Sequence, residues 1–491
     1  MSSNRRVPGR VFPVVVILVA IIATIVGWRA MSRRPVPTTI IDTLDIDGEY
    51  AVLIRDVADD PERSFLSLYH ATRGEVWGAL IPRYAATPGR ERGVVATDEV
   101  ITVRAIRNRK AFLMAFDARH GRKLGSVFPL RDEASQSPSP RDGAMLPGVD
   151  SLGDSGEVFE VLGAAEGGEV LVGFDLDRGR VRWTTELGSS PIRGMRLRAT
   201  RVIIEQADGV ALADRDNGAL ERWPGAASPC VTADRMYAST GKQPGQGADG
   251  QAASNQLQVV GLDVAASGDS RVSAAIVAPA WLTLAGPCGV RGDVLVVVVG
   301  QGDEAGEAGA MSAVVALRRD ALERGEIAPV WRVDLGRSWS QDRVTRQAPD
   351  RSPMAGELTR FVPVLVGAPD VLVMVDVDTG RIAWQSPQRP SLRDARLMSA
   401  AGRHYLYQPG TRNLAVFDGD SGALHQAVIL EGYNEVTPYH IAGQRIWLSA
   451  GETWTVLDGA TLRAIPGVSV SRDITTVTDR VAEELGAPGS M

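Results

Sequence analysis

One short pattern recurs along most of this chain and constrains its fold more than any other feature. It consists of an apolar residue, Asp, two or three turn-forming residues, Gly and, a few residues later, often Trp. Neighbouring copies lie between 39 residues (175 to 214) and 58 residues (117 to 175) apart. Self-similarity at such a period is typical of a propeller or a solenoid. The clear copies are FDARHGRKL (116–124), FDLDRGRVRW (174–183), LADRDNGALERW (212–223), VDVDTGRIAW (375–384), FDGDSGALH (417–425) and LDGATLRAI (457–465); weaker copies are YHATRGEVW (69–77), LDVAASGDS (262–270) and ALRRDALERGEIAPVW (316–331).

The segments between the copies have the composition of short β-strands. Examples are EVITVRAI (99–106), RVIIEQ (201–206) and VLVMVD (371–376), each bounded by Gly, Asp or Pro. A helical pattern is present only as a short one at 475–486. Four strands in each repeat of this length correspond to one propeller blade. We therefore predict an all-β fold, a single β-propeller of about eight four-stranded blades, with seven as the alternative count; a parallel β-helix would need shorter coils.

The repeated Asp and Gly residues have two interpretations. A calcium loop of the EF-hand type needs Gly at its sixth position and Glu at its twelfth. Counted from Asp376, these positions hold Arg381 and Pro387. A hairpin turn needs only an Asp that accepts the following backbone N–H groups and a Gly that adopts a left-handed conformation. The turn interpretation is favoured, so the structural turn residues are predicted to be Asp117, Gly121, Asp175, Gly179, Asp214, Gly218, Asp376, Gly380, Asp418 and Gly422.

An apolar segment near the N-terminus predicts a membrane anchor. Val11 to Trp28 carries no charge, and as a helix it would span roughly 27 Å, close to the hydrocarbon thickness of a bilayer. A cleavable signal peptide is the alternative, but the apolar run is longer than a usual signal core. Arginines flank both ends, so the positive-inside rule does not decide the orientation. The predicted organisation is a tail (1–10), a transmembrane helix (11–31), a linker (32–40), the propeller (41–470) and a C-terminal tail (471–491) that is partly helical or disordered.

Charge and motif content exclude several classes of function. The net charge of −6 and the absence of a long basic run argue against nucleic-acid binding. The five histidines lack metal-ligand spacing, and the sequence contains no HExxH, CxxC, Walker loop or nucleophile elbow. His70 and His120 fall in hairpin turns, where solvated side chains are expected. We therefore predict no catalytic, metal-binding or cofactor-binding residues, and no cofactor.

The two cysteines, Cys230 and Cys288, occur in similar surroundings. Both follow proline, in SPCVTADR and GPCGVRGD, at matching points of what look like adjacent blades. Equivalent positions in neighbouring blades could bring them within disulfide distance, which an exported location would favour. Two small buried side chains are the other interpretation.

The long insertions are predicted to lie on one face of the propeller. If the strands of each blade are labelled A to D from the axis outward, the insertions join D to the next A or B to C, and these connections share a face. Binding sites often lie on such loops over a rigid scaffold, although harmless surface insertion is the alternative. The D–A insertions are 131–157 and 336–357, and the B–C insertions are 56–64, 241–255 and 302–310.

The pattern of a strand, Asp, Thr-Gly and a strand ending in Trp, as in VDVDTGRIAW, resembles the repeat of the pyrroloquinoline-quinone-like (PQQ-like) β-propeller family. The resemblance covers residues 38–470. The family includes quinoprotein dehydrogenases and the non-enzymatic lipoprotein of the outer-membrane barrel-assembly machinery. The dehydrogenases are similar to one another in an adjacent Cys–Cys disulfide, whereas Cys230 and Cys288 are 58 residues apart.

The resemblance therefore points to the non-enzymatic branch. It implies a protein-binding scaffold in the bacterial cell envelope, with propeller edges or the loop face docking a partner protein, for example by β-augmentation. That lipoprotein is anchored by a modified cysteine, and here no cysteine precedes Cys230, so the expected anchor is the helix, in the inner membrane with the propeller in the periplasm. A sensor for a glycan or small molecule and a quinone-dependent dehydrogenase are the alternatives. The repeat tryptophans are expected to pack between neighbouring blades; they are Trp77, Trp183, Trp223, Trp331 and Trp384.

Overall fold

The structure is a computed structural model. Among the described residues, no helix has both the length and the apolar character to cross a bilayer. The predicted transmembrane helix, 11–31, lies outside the described residues. The structure describes residues 38–43, 49–57, 60–84, 94–96, 100–107, 110–127, 157–163, 169–175, 180–197, 200–232, 235–240, 256–261, 272–277, 282–300, 312–335, 356–366, 371–392, 395–431, 440–442, 444–450, 453–465 and 474–488.

The described residues are almost entirely β-structure, as the sequence predicts. Two short helices, α1 (Arg319–Glu323) and α2 (Thr478–Leu485), and a 3₁₀ turn (Pro390–Leu392) accompany the strands. The strands are β1 (Thr38–Thr43), β2 (Tyr50–Val57), β3 (Asp60–His70), β4 (Gly74–Tyr84), β5 (Val94–Ala96), β6 (Val100–Arg107), β7 (Lys110–Asp117), β8 (Lys123–Val127), β9 (Glu157–Gly163), β10 (Glu169–Asp175), β11 (Arg180–Gly188), β12 (Ile192–Leu197), β13 (Arg201–Gln206), β14 (Gly209–Asp214), β15 (Leu220–Pro224), β16 (Ala226–Val231), β17 (Arg235–Thr240), β18 (Gln256–Gly261), β19 (Val272–Val277), β20 (Thr283–Arg291), β21 (Val294–Gly300), β22 (Ser312–Arg318), β23 (Pro329–Asp334), β24 (Gly356–Glu357), β25 (Phe361–Val366), β26 (Val371–Asp376), β27 (Arg381–Gln385), β28 (Arg396–Ala400), β29 (Arg403–Gln408), β30 (Asn413–Asp418), β31 (Leu424–Leu430), β32 (His440–Ala442), β33 (Arg445–Ala450), β34 (Thr453–Asp458) and β35 (Ile474–Thr476).

Within the described part of the chain, the strands form eight hydrogen-bonded sheets. The first sheet contains two successive repeats, because β4 pairs with β6 through Arg83–Ile106 and Tyr84–Ala105. The described strands can therefore be grouped into nine repeats within eight sheets, and the blade count of about eight, with seven as the alternative, stays a prediction. Repeat 1 is β1–β4, repeat 2 is β5–β8, repeat 3 is β9–β11, repeat 4 is β12–β15, repeat 5 is β16–β19, repeat 6 is β20–β23, repeat 7 is β25–β27, repeat 8 is β28–β31 and repeat 9 is β32–β34.

Burial within a repeat shows how each sheet is oriented. In repeat 4, every residue of β14 is buried and so is all of β13 except Glu205, whereas β15 is largely accessible. Side chains of a strand point alternately to its two faces, so strands buried throughout must be covered on both faces. The inner strands are rich in Val and Ile for this reason. The sheet of repeat 4 is thus packed between those of repeats 3 and 5, with its last strand at the outside.

Among the described residues, consecutive repeats other than 2 and 3 share an apolar cluster. Shared apolar clusters join repeats 1 and 2, 3 and 4, 4 and 5, 5 and 6, 6 and 7, 7 and 8, and 8 and 9. Trp447 of repeat 9 then packs against Ala51 and Leu53 of repeat 1. Close by, Arg445 Nη2 lies 2.5 Å from Glu49 Oε1. Packing of the last repeat against the first is the closure expected of an all-β, propeller-like fold.

The hairpin between the last two strands of a repeat is built as the sequence predicts. Asp376 Oδ1 accepts hydrogen bonds from Asp378 N (3.0 Å) and Thr379 N (3.3 Å). Gly380 N donates to Asp376 O at 2.8 Å, and Gly380 has a φ of 66°. The same bonds form at Asp117, Asp214, Asp418 and Asp458.

In the turn after Asp458, Leu462 occupies the position of the glycine and adopts a φ of 52°. Gly179, predicted for the turn after Asp175, lies outside the described residues. The left-handed conformation is therefore a property of the turn, and glycine is the residue that adopts it with the smallest strain.

The repeat tryptophans connect each sheet to the next one. Trp331 Nε1 donates to Val377 O at 2.9 Å, and a Cβ added to Gly380 would lie 2.3 Å from Trp331 Cγ. The indole of one repeat therefore lies directly on the turn of the following repeat. Equivalent bonds run from Trp77 to Ala118 O and from Trp183 to Arg215 O, whereas Trp384 Nε1 donates to Gly422 O at the glycine of the following turn. The predicted packing of these four tryptophans between neighbouring sheets is confirmed.

Two segments differ from the organisation predicted. The stretch 56–64 was predicted as a loop insertion, but β2 continues to Val57 and β3 begins at Asp60, so it is a hairpin of extended strands. Ser64 Oγ donates to Asp56 Oδ1 at 3.3 Å, which links the two strands near the hairpin end. In addition, β1 begins at Thr38, three residues before the predicted start of the propeller.

Candidate functional site

Ion pairs reinforce some of the predicted turn residues. Burial acts to raise the pKa of Asp376, but Arg360, whose Nη2 lies 3.1 Å from Asp376 Oδ2, holds the pKa below its usual range. Arg360 also pairs with Asp378, as does Arg291 of the preceding repeat. The carboxylates of this turn are thus satisfied by backbone N–H groups and guanidinium groups. Among the described residues, no group of three His, Cys, Asp or Glu side chains is arranged to hold a metal ion.

The sequence did not predict the ion pairs that join the Asp of some turns to an Arg on the neighbouring strand. Arg201, the first residue of β13, is opposite Asp214, the last residue of β14, and their charged groups lie 3.8 Å apart in a buried position. Arg445 and Asp458 repeat the arrangement at 3.2 Å. The signal in the sequence was Arg at the start of the second strand of a repeat. In both pairs the guanidinium group balances the negative charge of the turn carboxylate.

His70 is not the solvated residue that its position in a turn predicts. Its side chain is buried, and its Nδ1 accepts hydrogen bonds from Thr72 N (3.1 Å) and Arg73 N (3.3 Å). These bonds are the ones that Asp makes in the other turns, so His70 replaces the repeat aspartate. Burial, followed by the nearby Arg73, lowers the pKa of His70 and favours the neutral ring that can accept them. His120, in the next turn, is exposed, as predicted.

His404 is a titratable group that is almost completely buried. Burial lowers its pKa to about 4. Its Nε2 lies 2.7 Å from Phe361 O, a group that can only accept, so Nε2 carries the proton. Ser399 Oγ then donates to Nδ1 at 2.5 Å, and Thr359 Oγ1 lies 2.8 Å from Nε2. Both ring nitrogens have partners inside the protein, which assigns His404 a structural role between repeats 7 and 8.

Cys230 and Cys288 are joined by a disulfide in the structure. Their Cα atoms are 5.5 Å apart, within the usual range for such a bond. Both side chains are buried, one on β16 and the other on β20, which are the first strands of repeats 5 and 6. The bond therefore links two consecutive repeats, at the matching positions that the sequence indicated.

The predicted loop face lies mostly outside the described residues. Residues 241–255 and 302–310 fall within the B–C connections of repeats 5 and 6, and 131–157 and 336–357 follow the last strands of repeats 2 and 6. Of these insertions, only Glu157 and Gly356–Glu357 are described. The docking of a partner on this face therefore stays a prediction.

The structure reveals a different candidate at the outer edge of repeat 8. There the chain adds its own strand, β35, antiparallel to β31, with Val428 opposite Thr476 and Leu430 opposite Ile474. Val477 N donates to Ala427 O at 2.9 Å. The outer edge of a blade thus holds an extended segment through backbone hydrogen bonds. The sequence predicted edge pairing with a partner, but it did not indicate that this chain occupies one of its own edges.

The segment continues into α2, which covers an apolar recess between repeats 7 and 8. Val481 and Leu485 of the helix are buried in the same cluster as Leu392 and Leu424, with Trp384 packed against its margin. The short helix expected within 475–486 is α2. We call the recess together with the β31 edge the edge groove.

The fold is all-β and propeller-like, and a segment of the chain itself occupies the edge groove. No family model matches the chain, and no curated protein sequence matches it. Among solved structures it is similar to BamB from Moraxella catarrhalis, at 15% identity and a TM-score of 0.42 over 74% of this chain and 92% of that chain. It is also similar to apo AztD from Citrobacter koseri, at 14% identity and a TM-score of 0.37 over 75% and 96% of the two chains.

A third similar structure is the quinohemoprotein alcohol dehydrogenase ADHIIG from Pseudomonas putida HK5. The identity is 12% and the TM-score 0.37, over 79% of this chain and 72% of that chain. All three TM-scores lie below 0.5. The order of the strands in the sheets and the packing between the sheets define the fold.

Proposed function

We propose that this protein is a membrane-anchored, non-catalytic propeller that acts as a protein-binding scaffold in the bacterial cell envelope. One observation carries the proposal: the outer edge of β31 holds an extended segment, β35, by antiparallel pairing. Main-chain pairing at a sheet edge is a general mode of peptide recognition, because it requires only an extended partner backbone. A protein partner paired at blade edges, or bound by the loop face, is therefore the interaction that the geometry supports best.

Other outer strands support the same interpretation. Val330 on β23 and Ile382 on β27, the edge strands of repeats 6 and 7, are among the exposed large apolar residues. Outer strands present backbone N–H and C=O groups that an added strand can satisfy. Apolar side chains beside such an edge increase the surface that a partner strand would bury.

The anchor and the location are part of the proposal. The uncharged segment Val11–Trp28 supports a single-pass anchor in the inner membrane. The bond between Cys230 and Cys288 supports a periplasmic propeller, since disulfides persist in oxidising compartments. An alkaline phosphatase fusion at the C-terminus of the full chain should be active. An inactive fusion with an active cytoplasmic reporter at the same point would place the propeller in the cytoplasm.

In-cell photo-cross-linking tests the scaffold role. A photoreactive residue placed at Val330 or Ile382 of the full chain is expected to cross-link a periplasmic or membrane protein at a defined mass. The matched control is Gly292, which lies in a tight turn with open space around it. Cross-links that are equally strong from position 292, or to cytoplasmic proteins only, would overturn the proposal.

The absence of quinone-dependent catalysis has its own test. The purified full chain is titrated with pyrroloquinoline quinone and calcium while the quinone absorbance spectrum is recorded. We expect the free-quinone spectrum at every protein concentration. A saturable spectral change with dye-linked alcohol oxidation would replace the scaffold by a dehydrogenase.

A further inference from the structure

The segment Ile474–Pro488, here called the C-terminal segment, fills the edge groove of repeats 7 and 8. We propose that the edge groove is a peptide-binding site, that the C-terminal segment is its intramolecular occupant, and that a partner segment with the same pattern displaces it. The inference rests on the proposed scaffold function, because it names the site and the kind of partner. It assigns to the C-terminal segment an autoinhibitory role.

The packing of the last repeat against the first does not need the C-terminal segment. The closing contacts of Trp447 and Val456 with Ala51 and Leu53, and the pairing of Ile465 N with Val456 O, are made upstream of the segment. Repeat 8 already has four strands, β28 to β31, before β35 is added. The segment is thus an addition to a completed sheet, as a bound peptide would be.

The first half of the C-terminal segment is recognised through backbone groups. β35 pairs with β31 over Ile474 to Thr476, and the side chains of Thr475 and Thr476 point to solvent, as their exposure shows. Thr478 Oγ1 then accepts a hydrogen bond from Ala427 N at 3.1 Å. The pairing tolerates many side chains, whereas the hydroxyl at position 478 is specific.

The second half is recognised by apolar contacts. Val481 and Leu485 lie four residues apart on one face of α2, and both are fully buried in the recess. At the other end of the helix, Arg389 Nε donates to Glu484 O at 3.1 Å, which places a cation at the negative end of the helix. Leu424 N donates to Pro488 O at 3.0 Å and holds the chain after the helix.

These contacts define the pattern that a partner needs. It is an extended stretch of about three residues, then one intervening residue and a Ser or Thr. A two-turn helix follows, with apolar residues three and seven positions after the hydroxyl, as Val481 and Leu485 follow Thr478. Backbone pairing supplies a common attachment, and the two apolar side chains and the hydroxyl supply specificity.

The C-terminal segment is built to be displaceable. Its helix has eight residues, and its N-cap, Val477, makes no side-chain capping bond. So short a helix is not stable by itself in water, so it forms only against the recess. Ordering the segment costs conformational entropy, which offsets much of the gain from burying its apolar side chains and forming its hydrogen bonds.

Peptide binding to the full chain is the test. The double variant Val481→Asp, Leu485→Asp should release the segment, because the groove excludes water from both side chains. A fluorescent synthetic peptide of residues 474–488 is expected to bind this variant at least tenfold more tightly than the unaltered chain, measured by fluorescence anisotropy. A control peptide carrying both Asp substitutions should bind neither. Equal affinity of the first peptide for both chains, or no binding to a folded double variant, would overturn the inference.

Hydrogen exchange of the unaltered chain gives a second measurement that does not depend on the variant. The amides of Leu424, Ala427 and Val477 have acceptors across the groove, so they should exchange at least a hundredfold faster than amides of β30 in the core of the same sheet. Exchange of these amides at the rate of β30 would show that the segment opens only when the sheet unfolds.

The outcomes separate this inference from the proposed function. Peptide binding without any envelope cross-link would retain the groove and remove the scaffold role, whereas envelope cross-links without peptide binding would do the reverse. Sedimentation velocity decides between a foreign partner and a second copy. A concentration-dependent dimer of the unaltered chain that the double variant fails to form would assign the groove to the segment of a second copy and overturn the foreign partner.

Discussion

At the scale of single residues, Gly380 shows how the repeat combines a local requirement with a tertiary one. Its φ of 66° closes the turn, and this conformation strains any residue with a Cβ. Its missing side chain also leaves room for Trp331 of the preceding repeat. Gly121 and Gly218 meet both requirements in the same way, beneath Trp77 and Trp183.

Two glycine substitutions separate these requirements. Gly292 also has a positive φ, of 60°, but nothing lies within 4 Å of the position of its Cβ. We expect Gly292→Ala to cost about 1 kcal/mol from backbone strain alone. Gly380→Ala should cost roughly 1–3 kcal/mol more, because Trp331 must move. Thermal unfolding checks this, and equal decreases in Tm for the two variants would contradict it.

His404 predicts a pH dependence of stability. Its pKa is about 4 when folded and about 6.5 when unfolded, so its folded pKa is depressed. The stability that it contributes is fully present above pH 6.5 and is lost as the pH falls from 6.5 to 4, by roughly 3 kcal/mol in all. In His404→Gln this part of the pH dependence should disappear, while the loss below pH 4 from carboxylates remains. Denaturant titrations at several pH values test this; parallel curves for both chains would refute it.

At the scale of elements, the indole N–H is the hydrogen bond that fixes one repeat on the next. Trp331 Nε1 reaches Val377 O in the turn of repeat 7. Trp223 Nε1, in contrast, is buried without a hydrogen-bond partner. Both rings lie on the last strand of a repeat, so Trp331 and Trp223 can be compared as residues in similar positions that differ in this hydrogen bond.

The substitution Trp331→Phe should destabilise the protein by about 1 kcal/mol, because a carbonyl loses its donor. Trp223→Phe should have a smaller effect, since it removes an N–H that makes no bond. Hydrogen exchange at Gly380 is the local measurement: it should accelerate in Trp331→Phe and stay unchanged in Trp223→Phe. Acceleration in both variants would mean that ring size, and not the hydrogen bond, holds the turn.

At the scale of the whole molecule, the disulfide and the closing contacts hold together a fold made of many short strands. The bond between Cys230 and Cys288 joins repeats 5 and 6 across 58 residues of sequence. Crosslinking residues so distant in sequence reduces the entropy of the unfolded chain, by an amount that corresponds to about 2–4 kcal/mol.

The full chain from an oxidising compartment should therefore show no free thiols after denaturation, and two after reduction. The double variant Cys230→Ala, Cys288→Ala should unfold at a lower temperature than the oxidised protein and at nearly the same temperature as the reduced one. Two free thiols in unreduced monomer would contradict the bond.

Particular residues show how far the sequence predicted this molecule. The repeat, the all-β class and the Asp–Gly turns could be predicted, because Asp376 bonds to amides only two and three residues away and each strand carries its own apolar pattern. For the two cysteines the sequence left a disulfide and two free buried side chains as alternatives, because their separation in space depends on how two repeats pack. His70 was assigned wrongly, since its burial comes from Tyr50 and the other neighbours that the fold brings to it.

By itself, then, the sequence determined the period of the chain, the strand content and the turns, since all of these depend on residues that are close together along the backbone. Only the tertiary structure decided the indole bond from Trp331 to Val377, the network around His404 and the occupation of the edge groove. Each of these depends on which distant residues meet, as when Ile474 pairs with Leu430. Such long-range contacts are specified by the packing of complete sheets, and local hydrogen bonding and side-chain alternation do not specify them.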